Sequence, residues 1–328
     1  GDKVRLNEYT DEDVKIIENW RGTHNHILNS WQATLRNRCR GKEVVFAQRL
    51  KRRSTIFNKL LRQPGMQLSR MHDIAGCRLI FKDIKELYAY RDSLHAARME
   101  HIRRKTDATP YPYDYIQTPA SSGYRGIHDV YEYKARAGRA TDWNGLLVEI
   151  QYRTIFQHAW ATAVEVAGSL TGNHSKFNQG SDSQKEFFRL SSEIIARAFE
   201  QSKSCRPELS DSQLIVEFNK LENKIKLLRD LETLRVLKGD FPIPSAKNFI
   251  LQFLKKPEPT YICKIYSFET LPLATSKYFE LEKSDPEDDI VLVRAESLES
   301  IKNAFRNYFS DVEDFVHIIK EGKKKLAD

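Results

Sequence analysis

Nine residues near the middle of the chain, Leu146–Thr154 (LLVEIQYRT), limit the fold more than any other stretch. Side chains alternate across a strand, so Val148, Ile150 and Tyr152 share one face and Glu149, Gln151 and Arg153 the other. The first set is a natural core face. The second puts an acid, an amide and a guanidinium in a row, which fits an edge strand with a wet face or a strand that lines a site. Two more strand-like runs, CRLIF (77–81) and HDVYEYKA (128–135), are interleaved with helical patterns at 83–99 and 156–170. In the 83–99 pattern Leu87, Tyr90, Leu94 and Ala97 fall along one side. Strands alternating with helices predict an α/β domain over roughly residues 40–200.

The flanks are read from caps and periodicity. Residues 10–40 form one or two helices, with Thr10 as cap, Glu12 and Asp13 in the first turn, and Val14, Ile17 and Trp20 at helical spacing. VVFAQRLKRRSTIFNKLLRQPG reads as a basic element turning into a short helix that ends at Pro64-Gly65. A second unit begins near Arg206-Pro207. There Leu214, Phe218, Leu221, Ile225, Leu228, Leu231 and Leu234 make a helical stripe, expected to pack within the chain ahead of a coiled-coil seam. The loop GDFPIP follows, and then YICKIYSF, KYFELE, an acidic turn SDPEDD, IVLVRA and two short helices complete a small α+β module. The tail KEGKKKLAD is expected to fray. The division expected is N-terminal helices at 1–40, an α/β domain at 41–204 and a C-terminal helical and α+β module at 205–328.

Net charge is +8, and it is unevenly placed. Residues 201–328 hold 21 Lys/Arg against 22 Asp/Glu, so the whole positive excess lies in the first 200 residues, where an anionic ligand is most readily bound. Cys39, Cys77, Cys205 and Cys263 are far apart and form no C-x-x-C pair, which argues against a zinc knuckle or a disulfide framework and suits a reducing cytosol. No apolar run approaches the ~18 residues of a membrane span. GDKVRLNEYTDEDVK has no apolar centre, so no secretory signal is expected and a cytoplasmic location is.

Five stretches carry residue types that do chemistry. RLKRRSTIFNK clusters Arg49, Lys51, Arg52, Arg53 and Lys59 around Thr55; in a helix Thr55 and Lys59 share a face. Such a cluster clamps a polyphosphate, although a solvated basic face is the commoner explanation. MHDIAGCRLIF sets Asp73 at the entry to a strand, and VEIQYRT supplies Glu149, Gln151 and Arg153. SSGYRGIHDVYEY offers a turn at Gly123 and Gly126 with Tyr124, Arg125 and His128 beside it. QHAWATAVE places His158 and Glu165 on a helix, where His158 reads as structural. The His72-Asp73 and His128-Asp129 dipeptides invite comparison with HD-type phosphohydrolases. Those carry their ligands on helices, whereas both dipeptides here adjoin strands.

In order, these stretches resemble the synthetase domain of the RelA/SpoT family, which makes the alarmones ppGpp and pppGpp. RLKRRSTIFNK is similar to that family's Arg-x-Lys-x-x-x-Ser-x-x-x-Lys segment and MHDIAGCRLIF to its Asp-Ile-Ala-Gly-x-Arg strand. YDYIQTPASSGYRGIHDVY is similar to its Asp-Tyr-Ile…Pro-x-x-x-Gly-Tyr-x-x-x-His loop and VEIQYRT to its Glu-Ile-Gln-x-Arg-Thr strand. Four motifs in order across 49–165 are specific where one alone is weak.

The resemblance implies an α/β (α+β) fold: a mixed-sheet, nucleotidyltransferase-like synthetase domain flanked by helices, plus the small helical and α+β C-terminal module. It implies transfer of the β,γ-pyrophosphate of ATP to the 3′-hydroxyl of GDP or GTP. Asp73 and Glu149 would be catalytic and hold Mg²⁺, with Glu149 also helping to deprotonate the hydroxyl. Arg49, Lys51, Thr55, Lys59 and Arg78 would bind the ATP phosphates. Tyr124 would stack on the acceptor base, His128 would contact its phosphates, and Arg125, Gln151 and Arg153 would complete that subsite. His72 would be incidental. Three positions depart from the pattern: Thr55 replaces a serine, and Tyr113 and Ala120 stand where lysines are usual, with Arg103, Arg104, Lys105 or Arg125 as substitutes. The departures leave open a second acceptor, the 3′ end of tRNA used by toxin-type members, for which Arg36, Arg38, Arg40, Lys42, Arg52 and Arg53 would meet the RNA backbone. A third reading is a descendant that only binds nucleotide or RNA. Under the toxin-type reading residues 205–328 would serve as a fused antitoxin or a sensor; under any of the readings they would be the contact to a regulatory partner or second copy.

Overall fold

The computed structural model describes every residue except 52, 105–112, 171–181, 233–236, 239–245, 247, 255–261, 286–287, 295–297 and 328. Arg52, Lys105, Leu234 and the GDFPIP loop therefore lie outside the described residues, with parts of YICKIYSF, SDPEDD and IVLVRAES. Two compact units result, one of Gly1–Asp114 with Ile127–Arg153 and the other of Tyr115–Gly126 with Thr154–Asp328.

In the first unit a short helix α1 (Asp2–Leu6) precedes one long helix, α2 (Asp11–Cys39). The Thr10 cap is a full capping box: the Thr10 hydroxyl accepts from the Asp13 amide at 3.3 Å, and the Thr10 amide donates back to the Asp13 carboxylate at 2.9 Å. Strand β1 (Val45–Leu50) and helix α3 (Arg53–Arg62) follow, so the basic segment is half strand and half helix. Then come β2 (Ala75–Phe81), α4 (Ile84–His95) capped by Asp83, a two-residue β3 (Ile102–Arg103), β4 (Ile127–Glu132) and β5 (Leu147–Thr154). They form a mixed five-stranded sheet in the order β1-β2-β5-β4-β3. The α/β fold expected from the alternation of strands and helices is the fold found.

The alternation along β5 sorts the two faces as read from the sequence. Val148, Ile150 and Tyr152 are fully buried. Helices α2 and α4 cover that face: Trp31 meets Tyr131 at 4.7 Å between ring centres and Tyr90 meets Phe81 at 5.3 Å. The same face holds a buried polar group. Arg91 donates to Asp114 at 3.0 Å and to Asp129 at 3.4 Å, His95 lies 2.6 Å from Asp129, and the Tyr88 hydroxyl donates to Asp114. Burying four ionisable groups is sustained only by such mutual pairing. Asp114 of the Asp-Tyr-Ile motif is thus a structural anchor.

The second unit begins its helices with α5 (Ile155–Leu170) and α6 (Asp182–Glu200), followed by α7 (Asp211–Ile225) and α8 (Leu227–Glu232). A four-stranded sheet of β6 (Leu237–Lys238), β7 (Asn248–Leu254), β8 (Ile262–Phe268) and β9 (Asp289–Arg294) runs in the order β6-β8-β7-β9, with α9 (Leu271–Ser284) between β8 and β9. The chain closes with one 30-residue helix, α10 (Leu298–Ala327). This corrects two expectations, since the two short helices are one and KEGKKKLAD is its last turns. KYFELE lies inside α9.

A boundary at 205 is not where the compact units divide. Leu214, Phe218, Leu228 and Leu231 of the leucine stripe share one core with Trp160, Val164, Phe187 and Ile194 of α5 and α6, and with Val312, Phe315, Val316 and Ile319 of α10. The stripe packs within the chain, as its pattern predicts. At Gly322 a Cβ would come within 2.8 Å of Ile194 Cγ2, so α10 and α6 approach more closely than any side chain would allow.

Candidate active site

The polar face of the first unit's sheet collects four side chains from three strands. In the antiparallel β4–β5 pair His128 lies opposite Gln151 and Val130 opposite Glu149. The Gln151 amide donates to Glu149 Oε1 at 2.6 Å, its carbonyl accepts from Arg78 Nε at 3.4 Å, and His128 Nδ1 lies 3.4 Å from Glu149 Oε2. Arg78, Gln151, Glu149 and His128 thus make one row across β2, β5 and β4. This accounts for an acid in a central strand: the Glu149 carboxylate is bonded within a polar row. Burial raises the Glu149 carboxyl, yet the His128 charge and the bonds from His128 and Gln151 outweigh it and bring it down to about 2.

Asp73 sits just before β2. Lys51 Nζ, at the end of β1, reaches its Oδ2 at 2.5 Å, and Lys59 Nζ, one turn along α3 from Thr55, reaches its Oδ1 at 3.1 Å. The Lys51 amide donates to the Ile74 carbonyl at 2.8 Å, prolonging the β1–β2 ladder and fixing the lysine beside the acid. Burial works against the Asp73 charge, but the two lysines outweigh it and hold the carboxyl well below its ordinary value. Burial also lowers the Lys51 ammonium against the pull of Asp73. One acid between two lysines at these distances stays ionised. Asp73 and Glu149 are close enough to repel, since the Asp73 charge raises the Glu149 carboxyl.

Two carboxylates held ionised on one face, beside lysines and arginines, suit a hard cation that takes one or two carboxylates and leaves its other positions to phosphate oxygens. Among the described residues no group of three or more metal-ligating side chains occurs. Asp73 and Glu149 are the residues that would hold such a cation, with phosphate oxygens at its other positions. The His128-Asp129 dipeptide is not an HD-type ligand pair, because its two side chains point to opposite faces of β4: His128 to Glu149, Asp129 to Arg91 and His95.

A family model described as a region found in RelA / SpoT proteins matches residues 48–168. Among curated relatives, the GTP pyrophosphokinase YwaC of Bacillus subtilis is 32% identical over 120 residues, covering 35% of this chain and 52% of that protein. The GTP pyrophosphokinase YjbM of the same organism is 30% identical over 169 residues, covering 50% of this chain and 72% of that protein. The chain belongs to the RelA/SpoT family. It spans about half the length of the first of these relatives. Among solved structures, small alarmone synthetase 2 from Bacillus subtilis is 24% identical, with 55% of this chain and 92% of that chain covered at a TM-score of 0.45.

Most of the RelA/SpoT positions fall into three groups, with Arg49, Thr55 and Arg153 outside them. Asp73, Lys51 and Lys59 form one cluster, and Arg78, His128, Glu149 and Gln151 form the adjoining row. Arg49 is exposed at the end of β1, Thr55 is half-buried on α3, and Arg153 is buried at the end of β5. The third group lies in the second unit. Tyr124 is buried, edge-on to Tyr115 at 5.5 Å and tilted to Trp160 at 6.4 Å. Arg125 is buried in an ion pair with Glu200, so its guanidinium is committed to the protein. Sequence reasoning gave Arg125 to the ligand because an arginine in a Gly-Tyr-Arg-Gly loop carries no mark of a partner 75 residues away. Tyr113, where a family lysine is usual, lies edge-on to His72 at 6.3 Å. His72 is itself lowered by burial, with the charges of Glu149, Arg104, Lys59 and Asp73 as lesser influences.

Proposed function

We propose that this chain is a pyrophosphotransferase that moves the β,γ-pyrophosphate of ATP to the 3′-hydroxyl of GDP or GTP. The observation that carries the reading is the Lys51–Asp73–Lys59 cluster beside the Arg78–Gln151–Glu149–His128 row. The names of the two relatives support it. The acceptor's 3′-oxygen attacks the β-phosphorus as its proton passes by way of Glu149 to solvent, the bond from that phosphorus to the oxygen shared with the α-phosphate breaks, and AMP leaves with that bond's electron pair. Phosphoryl chemistry of this kind is won by positioning and by neutralising charge. Bound Mg²⁺, held by Asp73 and Glu149, would supply neutralisation on the phosphate oxygens.

The chain's own residues do the rest. With ATP bound, Lys51 and Lys59 exchange part of their hold on Asp73 for phosphate oxygens, joined by Arg49, Thr55 and Arg78. The swap keeps every charge paired, so the cluster is ready for the triphosphate without rearranging the sheet. Glu149 would hold the cation and help to take the proton of the attacking hydroxyl. Gln151 fixes the Glu149 oxygen it donates to, and His128 faces the acceptor's phosphates. Tyr124 supplies the ring for the acceptor base.

A second reading, transfer to the 3′ end of tRNA, is favoured by one observation: Tyr113 and Ala120 occupy positions where the family usually carries lysines. Purified chain with γ-labelled ATP and Mg²⁺, offered GDP, GTP, AMP or bulk tRNA in separate reactions, decides. The proposal expects label on free guanosine nucleotide. Label on tRNA alone would replace it with the second reading.

A further inference from the structure

The segment that carries Tyr124 is fastened on both sides of that residue. On one side Gly123, at φ 89°, has its carbonyl bonded by the Ser192 hydroxyl at 2.6 Å, and a Cβ there would meet Ser192, Arg189 and Phe188 at 3.1–3.2 Å. On the other, Arg125 pairs with Glu200, both side chains 2% exposed, and its Nη2 donates to Ser202 Oγ at 3.1 Å. Glu200 takes two further donors: Thr154 Oγ1 at 2.6 Å and Gln157 Nε2 at 3.0 Å. Thr154 and Gln157 in turn form the capping box that starts α5, with Gln157 N to Thr154 Oγ1 at 3.1 Å and Thr154 N to Gln157 Oε1 at 3.2 Å.

Glu200 is an improbable residue for stability alone. It is the last residue of α6, where the helix dipole disfavours a negative charge. It is buried, which disfavours that charge again. The next residue, Gln201, takes a left-handed φ of 47°, a conformation that a side chain other than glycine or asparagine adopts at a cost, and this turn returns Ser202 to Arg125. Three local costs converge on one carboxylate whose partners are the Tyr124 segment and the start of α5. Rule-breaking of this density marks positions kept for function.

We propose that Glu200 is a positioning residue for acceptor binding: through Arg125 it holds the 120–126 segment so that Tyr124 presents its ring in one orientation. The proposal rests on the reading of Tyr124 as the acceptor-base contact. Glu200→Gln keeps an acceptor for Thr154 and Gln157 and removes the charge facing Arg125. The expected result is an acceptor KM raised about tenfold, an ATP KM changed less than about twofold, and faster hydrogen exchange at the amides of 115–126. Equal rises in both KM values, or an unchanged acceptor KM, would overturn it. If the unaltered chain transfers nothing to any acceptor, the functional reading fails by itself, and exchange at 115–126 that does not respond to Glu200→Gln still overturns the positioning role. Should Glu200→Gln not fold, Ser202→Ala removes the Nη2 bond together with a long 3.4 Å bond to the Lys203 carbonyl and is read the same way, with a rise of about threefold in acceptor KM expected.

Discussion

Truncating Phe315 to alanine separates a C-terminal module from a shared core. Phe315 is fully buried, 6.4 Å from the Phe187 ring and 6.1 Å from Phe188, and belongs to a cluster that draws on α5, α6, α7, α8 and α10. Removing a buried phenyl ring costs about 3–5 kcal/mol in transfer and cavity terms. Its neighbours come from four other helices, so local collapse is restricted and the upper half of that range applies. For a unit of this size each kcal/mol lowers the midpoint by roughly 2–4 °C, which makes a fall of roughly 8–20 °C. Thermal melts followed by circular dichroism give the shift, and hydrogen exchange gives its location. A shared core requires the α5 and α6 amides to lose protection along with α10. Loss confined to residues 205–328, with α5 and α6 unchanged, would refute the packing argument and restore the division at 205.

Three further outcomes follow from particular contacts. Gly322→Ala should destabilise by about 1–3 kcal/mol although alanine ordinarily favours a helix by about 1 kcal/mol, because the new Cβ sits 2.8 Å from Ile194 Cγ2 in a packed core; a urea midpoint that rises would contradict this. Glu149 is lowered from 4.5 to about 2, so between those values the unfolded chain takes up a proton that the folded chain refuses, and stability falls as the pH is lowered through that window. Glu149→Gln should therefore melt with a shallower acid dependence between pH 4.5 and 2 than the unaltered chain; parallel curves would mean that the carboxyl is not held down. Asp73→Asn leaves Lys51, 8% exposed, without its charged partner, and should cost about 1–3 kcal/mol in urea denaturation, with Asp73→Asn/Lys51→Met recovering part of the loss.

Much of the first unit was legible because its signals are local. The alternation in VEIQYRT sorts a core face from a polar face, and the Thr10 cap starts α2 as its sequence requires. Asp73, Lys51 and Lys59 were named from sequence, but for separate tasks; that one acid pairs both lysines depends on the β1–β2 register and the turn into α3. The second unit was less legible. Its leucine stripe shows that a face is buried, and nothing in a periodicity tells that face which helix it meets. The match between Gly322 and Ile194 is encoded only in the complementarity of residues more than a hundred positions apart. Glu200 went unread for the same reason, although the Thr154-x-x-Gln157 box beside it is visible in TIFQ.

The central claim is that Asp73 and Glu149 are the charged centre of a pyrophosphate-transfer site that the sheet of the first unit builds. The most direct measurement is transfer from γ-labelled ATP by the unaltered chain, Asp73→Asn and Glu149→Gln in parallel, with Mg²⁺ titrated and folding checked by melting. The account predicts turnover by the unaltered chain that rises with Mg²⁺, and a loss of about a thousandfold or more in each variant that still melts cooperatively. Full turnover by a folded Glu149→Gln would contradict it.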